Sequence, residues 1–199
     1  MMYARDHRAA ARSALSLSWG QGVLVTFLLL LASAVSGWLI PVGIVIIPII
    51  SWSYTIIFLG VMRGEHIEAK HLTLGFNRMG KVWFLNFFMF LFVFLWTLLL
   101  IIPGIIKSFS YAMAPYILVD NPHMTPREAI TESRRMMDGH KWELFCLNFS
   151  FIGWELLATL SLGIGYLWLT PYIYTANASF YENLRIAGLK HDEEIGAQA

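Results

Sequence analysis

The 199-residue chain alternates long apolar stretches with short connections, and nearly all of its charge falls in every second connection. That alternation limits the fold more than any motif does. A bilayer core of about 30 Å takes roughly 17 to 25 apolar residues to cross as a helix. The runs at 23–40, 42–62, 82–102, 105–119, 142–162 and 166–180 therefore read as six transmembrane helices. The fold class expected is all-α, a polytopic helical membrane bundle with amphipathic helices on its cytoplasmic side. Run 105–119 is short and holds Lys107, Ser108, Ser110 and Pro115, so it reads as a tilted or broken span or a re-entrant segment. A composition 57% hydrophobic and 14% charged, with mean hydropathy +0.60, excludes an ordinary soluble domain of this length.

Orientation follows from the basic residues, because Lys and Arg in short loops are retained in the cytoplasm. Arg5, Arg8 and Arg12 precede the first run; Arg63, Lys70, Arg78 and Lys81 lie between the second and third. Arg127, Arg134, Arg135 and Lys141 lie between the fourth and fifth, and Arg185 and Lys190 follow the last. The opposite turns, WLIPVG, IIPGI and SLGIG, carry no charge and reverse the chain through Pro and Gly. Both termini are thus expected in the cytoplasm. The start of the first run, VLVTFLLLL followed by Ala32-Ser33-Ala34, also resembles a cleaved secretory signal, but the apolar run continues to Ile40, which suits a retained helix better.

Residues 1–185 read as a single transmembrane domain and 186–199 as a disordered tail. Within the domain three helical hairpins can be drawn, at about 1–62, 63–122 and 123–185. Gly20, Gly80 and Gly139 stand before the first helix of each, GKVWFLNF resembles GHKWELFCLNF, and Pro48, Pro115 and Pro171 sit in the returning helices, the last two within Pro-Tyr-Ile. Such a repeat would be of the parallel type, related by an axis along the membrane normal. Asn86, Asn148 and Asn177 are expected to bond between helices.

From Met124 the sequence MTPREAITESRRMMDGHKW has Thr125 as N-cap, Pro126 at the first helical position and Glu128 closing a capping box. Its apolar and charged residues separate onto two sides, so the helix can lie along the headgroup layer. Arg5, Arg8 and Arg12, spaced by three and four, form a second basic stripe. With Arg134 and Arg135 they are the candidate contacts to anionic lipid headgroups; the competing reading is that they only enforce orientation.

The segments IIPGIIKSFSYAMAPYILVDNP, EAITESRRMMDGHKWELF and FIGWELLATLSLGIGYLWLTPYI together resemble the bacterial membrane-protein family catalogued as domain of unknown function 975. A more distant similarity is to the membrane domain found in some glycerophosphodiester phosphodiesterases. The resemblance implies a protein of the bacterial cytoplasmic (inner) membrane with six helices. It carries no catalytic residues across.

Chemical motifs are missing: there is no HExxH, GxSxG or GxxxxGK[ST], and no catalytic residue, cofactor or metal is expected. Glu65, His66, Glu68 and His71 are close in sequence, but their spacing fits no standard site. The single Cys146 excludes an intrachain disulfide. Lys107 and Glu155 do lie inside apolar runs, where an unpaired charge is unfavourable by roughly 2.5 to 3.5 kcal/mol. They are expected to approach one another toward the outer side, with Ser108, Tyr111, Pro115 and Tyr116 completing an intramembrane polar site. Two functions follow. The favoured one is a non-enzymatic membrane module binding anionic lipid, another membrane protein or a second copy of itself, with no role for nucleic acid. The alternative is a small transporter using the site near Lys107, Pro115 and Glu155.

Overall fold

The computed structural model describes residues 3–16, 18–37, 40–65, 78–99 and 101–196, with side chains for 3–16, 18–31, 33, 46–65, 78–98 and 102–189. The stretch 66–77, with His66, Glu68 and His71, lies outside the described residues. Among those described, all regular structure is helical. The elements are α1 (Ala4–Leu15), α2 (Trp19–Gly37), α3 (Ile40–Met62), α4 (Met79–Leu99), α5 (Ile101–Tyr111), α6 (Ala114–Asp120), α7 (Pro126–Met136), α8 (Lys141–Phe149), α9 (Ile152–Leu160) and α10 (Tyr166–Gly196).

Three stretches of the described residues are long and apolar enough to cross a membrane: Met79–Leu98, Ile102–Asp120 and Lys141–Leu160. Ile46–Met62 in α3 is a shorter apolar helix. Run 105–119 is interrupted, as its polar content suggested: α5 ends at Tyr111 and α6 begins at Ala114 with Pro115 in its first turn. Pro115 therefore starts a helix, where its missing N–H leaves no bond unmade, whereas Pro48 and Pro171 do lie inside helices. Gly20 and Gly80 fall within the first turns of α2 and α4, and only Gly139, with φ 79°, stands outside a helix at its hairpin's entry. α10 continues as helix to Gly196, past the point at which the sequence suggested a disordered tail.

The packing is that of a protein turned outward. Small and medium side chains such as Leu59, Val82, Leu85, Met113, Ile117 and Ala176 are buried between helices. So are large ones, Phe58, Phe151, Phe180 and Trp52, but many other apolar side chains face away: Phe90 is 69% exposed, Leu98 77% and Leu160 80%. α2, α4, α5 and α9 each present exposed Phe, Leu, Ile or Trp, an apolar surface far beyond what a water-soluble protein carries. Asn86 and Asn148 donate to Val82 O (2.9 Å) and Leu144 O (3.1 Å) one turn back in their own helices. Satisfying the amide locally removes the need for the interhelical bonds expected of them.

Two of the hairpins close through a glycine. A Cβ on Gly104 would fall 2.9 Å from Thr97 Cα across α4 and α5, and one on Gly165 would fall 2.7 Å from Ala158 Cα across α9 and α10. These approaches allow backbones to meet without a hydrophobic driving force. The turn after α9 passes through Leu162 at φ 55° and Gly163 at φ 86°, with Gly163 N–H donating to Ala158 O at 3.1 Å.

Neighbours run across hairpins as well as within them. α2 packs on α3 and α10, α4 on α5 and α3, and α8 on α5 and α1, while α10 also lies against α9. α1 lies on α10 and α8, and α7 on α6, α4 and α5. The ends that carry charge meet at one pole of the bundle, where Arg63, Asp120, Glu182 and Arg185 converge.

Candidate functional site

α1 and α7 occupy the same kind of position, each beneath the hairpin that it packs on. In α7 the cap is formed as the sequence predicts: Thr125 N–H donates to Glu128 Oε2 at 2.7 Å and Glu128 N–H to Thr125 Oγ1 at 3.3 Å. The bond from the Thr125 backbone, with that from its side chain, holds the Glu128 carboxyl below its ordinary pKa. In α1 the Asp6 carboxylate accepts from Tyr3 N–H at 2.8 Å. Both helices bury one stripe at fourfold spacing, His7, Ala11 and Leu15 in α1, and Ala129 and Ser133 in α7 with Met137 at its C-cap. His7 Nδ1 lies 3.2 Å from Ser179 Oγ on α10, and Ser133 Oγ donates to Ser110 O at 2.9 Å on α5. Burial lowers the His7 pKa, against the opposing pull of Asp6 and Glu143.

The other faces of α1 and α7 carry arginines into two grooves. The first, about 560 Å³, runs between α1, α9 and α10: Arg8, Arg12 and Tyr172 line one end, and Trp154, Leu157 and Trp168 line its apolar walls. The second, about 420 Å³, runs between α7, α4 and α5: Arg127, Arg134 and Lys107 are set against Phe92, Trp96 and Tyr111. Arg127 stands 4.8 Å above the Phe88 ring and Lys107 4.9 Å above the Trp96 ring, distances at which the ring face attracts a cation. None of Arg8, Arg12, Lys107, Arg127 and Arg134 makes an ion pair with a carboxylate among the described residues. Arg8 Nε is buried and has no hydrogen-bond partner there.

The residues proposed from sequence separate. Lys107 and Tyr111 share the second groove. Ser108 turns away from it, donating to Ile105 O at 2.7 Å. Tyr116 is buried and stacks on Tyr181 at 5.4 Å, beyond Pro115 at the start of α6. Glu155 sits on α9, which is not packed on α5, and no ion pair joins it to Lys107. The expected Lys107–Glu155 site is thus not assembled, because helical phase turns Lys107 toward α7 rather than toward α9. Among the lipid-contact candidates, Arg8, Arg12 and Arg134 line grooves. Arg5 is exposed beside Asp6 (3.6 Å) and Tyr3, whereas Arg135 bonds Glu132 at 2.8 Å on the other side of α7.

A polar cluster that the sequence reading missed ties the ends of α3 and α6 to α10. Arg63, just beyond α3, donates from Nη1 and Nη2 to the two Asp120 oxygens at 2.8 and 2.7 Å, and from Nε to Glu182 Oε1 at 2.6 Å. Tyr181 O–H donates to Asp120 Oδ2 at 2.8 Å, and Arg185 holds Glu182 at 2.9 Å. Burial pushes the Asp120 carboxyl up, but the bonds from Arg63 and Tyr181 outweigh it and hold the pKa below the ordinary value. Hydrogen bonding to Asp120 in turn raises Arg63. The cluster borders a cleft of about 920 Å³ that also includes Glu132, Arg135 and His140. A charge at the end of each returning helix was the signal available in the sequence.

An outward-facing apolar surface over three membrane-length helical stretches, edged by arginine-bearing grooves, defines a helical membrane-associated protein. Residues 85–187 match the family model described as Protein of unknown function (DUF975), and the chain belongs to that family. No curated protein and no solved structure matches the chain.

Proposed function

We propose that the chain is a six-span protein of the bacterial cytoplasmic membrane, its N- and C-termini in the cytoplasm, acting without catalysis as a module that binds anionic lipid headgroups. The observation that carries this reading is a set of four arginines, Arg8 and Arg12 on α1 and Arg127 and Arg134 on α7. They border the apolar surface with no carboxylate of the described chain to pair with, the arrangement that a negatively charged leaflet would complement. The cross-hairpin neighbours support a cyclic assembly of three hairpins. In it the entering helix of each packs on the returning helix of the one before, α2 on α10, α4 on α3 and α8 on α5, with α1 and α7 beneath the preceding hairpin. The common sixty-one-residue offset of Gly104 from Gly165 and of Thr97 from Ala158 agrees with that arrangement.

Mass spectrometry of lipids retained by gently solubilised protein tests the reading. Anionic phospholipids should be enriched over their share of the source membrane. Retained lipid of the same composition as the bulk membrane, or a stoichiometric partner protein in place of lipid, would overturn it.

A further inference from the structure

We propose that the groove between α1, α9 and α10 is a discrete binding site for one anionic diacyl phospholipid, its phosphate held by Arg8 and Arg12 and an acyl chain laid between Trp154, Leu157 and Trp168. The proposal rests on the lipid-binding reading above and makes it specific.

The groove has the polarity that such a ligand requires. Two guanidinium groups and the Tyr172 side chain line one end, and the walls beyond them are aromatic and aliphatic. From Tyr172 to Gly165, both of which line the groove, α10 rises roughly 10 Å at 1.5 Å per residue, enough for the upper part of an acyl chain. The Arg8 Nε–H is buried without an acceptor among the described residues, and a buried donor left unpaired is unfavourable. A phosphate oxygen at the mouth would satisfy it, and a guanidinium fork matches phosphate geometry. Free phosphate would use the arginines but leave the apolar walls uncovered, so charge and shape together favour a lipid.

A second groove with the same design argues against coincidence. Arg134 stands at the position in α7 that Arg12 holds in α1, counted from the caps Thr125 and Tyr3. Tyr111 and Tyr172 line the two grooves sixty-one residues apart, as do Lys107 and Trp168. Where the first groove has Trp168 in its apolar wall, the second has Lys107, so the first groove is the one whose walls suit an acyl chain.

The experiment uses the full-length protein in zwitterionic micelles, titrated with short-chain phosphatidylglycerol or phosphatidylcholine and read by native mass spectrometry. The compared variants are Arg8→Gln with Arg12→Gln, Arg12→Gln alone, and the off-groove control Arg5→Gln with Arg78→Gln. Saturable binding of phosphatidylglycerol is expected, weakened about fivefold by Arg12→Gln and more than tenfold by the double variant, with the control within about twofold of wild type. Thermal unfolding of lipid-free protein checks folding; should the double variant not fold, the exposed Arg12 position alone decides. Equal weakening by the control pair would overturn the discrete site while leaving general attraction to anionic lipid standing. Equal affinity of wild type for both lipids would overturn both. Competition by millimolar inorganic phosphate, with no dependence on acyl length, would replace the lipid with a free anion and overturn the proposal.

Discussion

Replacing Arg63 with methionine should uncouple the three returning segments at their polar pole. The substitution keeps the aliphatic volume and removes three charge-assisted hydrogen bonds, two to Asp120 and one to Glu182. Each such bond is worth roughly 1.5 to 3 kcal/mol when intact, but the Arg63 side chain is 33% exposed. Water will recover part of the loss, and Tyr181 and Arg185 still hold one carboxylate each. A net destabilisation of about 2 to 3 kcal/mol remains. At 2 to 4 °C per kcal/mol for a chain of this size, the melting temperature should fall by roughly 4 to 12 °C. Tryptophan fluorescence during heating in one detergent measures it. The pH dependence separates this from unspecific damage. In the wild type the folded Asp120 pKa is below the unfolded one, so its contribution is present above about pH 4 and is lost as pH falls through the folded pKa. Without Arg63 part of that contribution is absent at neutral pH, so the gap in stability between wild type and Arg63→Met should narrow as pH falls through the folded Asp120 pKa. An Arg63→Met protein melting within 1 °C of wild type, with an unchanged acid limb, would refute the cluster as a structural tie.

Gly104→Val should destabilise by about 3 kcal/mol or more, because its Cβ meets the Thr97 backbone, while Gly153→Val, with open space around it, should change melting little. Thr125→Ala removes the acceptor of the Glu128 N–H and should cost about 1 kcal/mol, read as faster amide exchange confined to the first turn of α7. In a Cys146→Ala background, cysteine at Arg78 should react with a thiol reagent only after the membrane is permeabilised. Reactivity of the Arg78 position from outside would reverse the proposed orientation.

What could be read from the sequence was mainly what is local. The Thr125–Glu128 box needs only residues three apart, and Pro and Gly turns end helices wherever they occur, so both were legible. Which way a side chain faces in the bundle was not. Arg134 and Arg135 differ by about 100° of helical rotation, enough to put one in a groove beside Lys107 and the other on Glu132. Lys107 and Glu155 were paired on depth alone, and depth carries no azimuth. The shared Pro-Tyr-Ile tripeptide misaligned the hairpins: Tyr172 lines the first groove, but its counterpart in the second is Tyr111, with Tyr116 buried against Tyr181. Gly104 and Gly165, sixty-one residues apart, are the better signal, because close backbone approach demands glycine and a tripeptide does not. The Arg63 cluster joins residues 57 and 119 positions apart, and only the closed bundle selects those partners.

The contact of α1 with α10 has a consequence for how the molecule is made. His7 meets Ser179 across 172 residues, and at roughly 5 to 20 residues per second the ribosome takes about 10 to 35 s to supply that partner. Through that interval α3 and then α8 become available to α1, but His7 stays without Ser179. A chain cut short near Leu160 would therefore hold its first helix by only part of the surface that finally covers it.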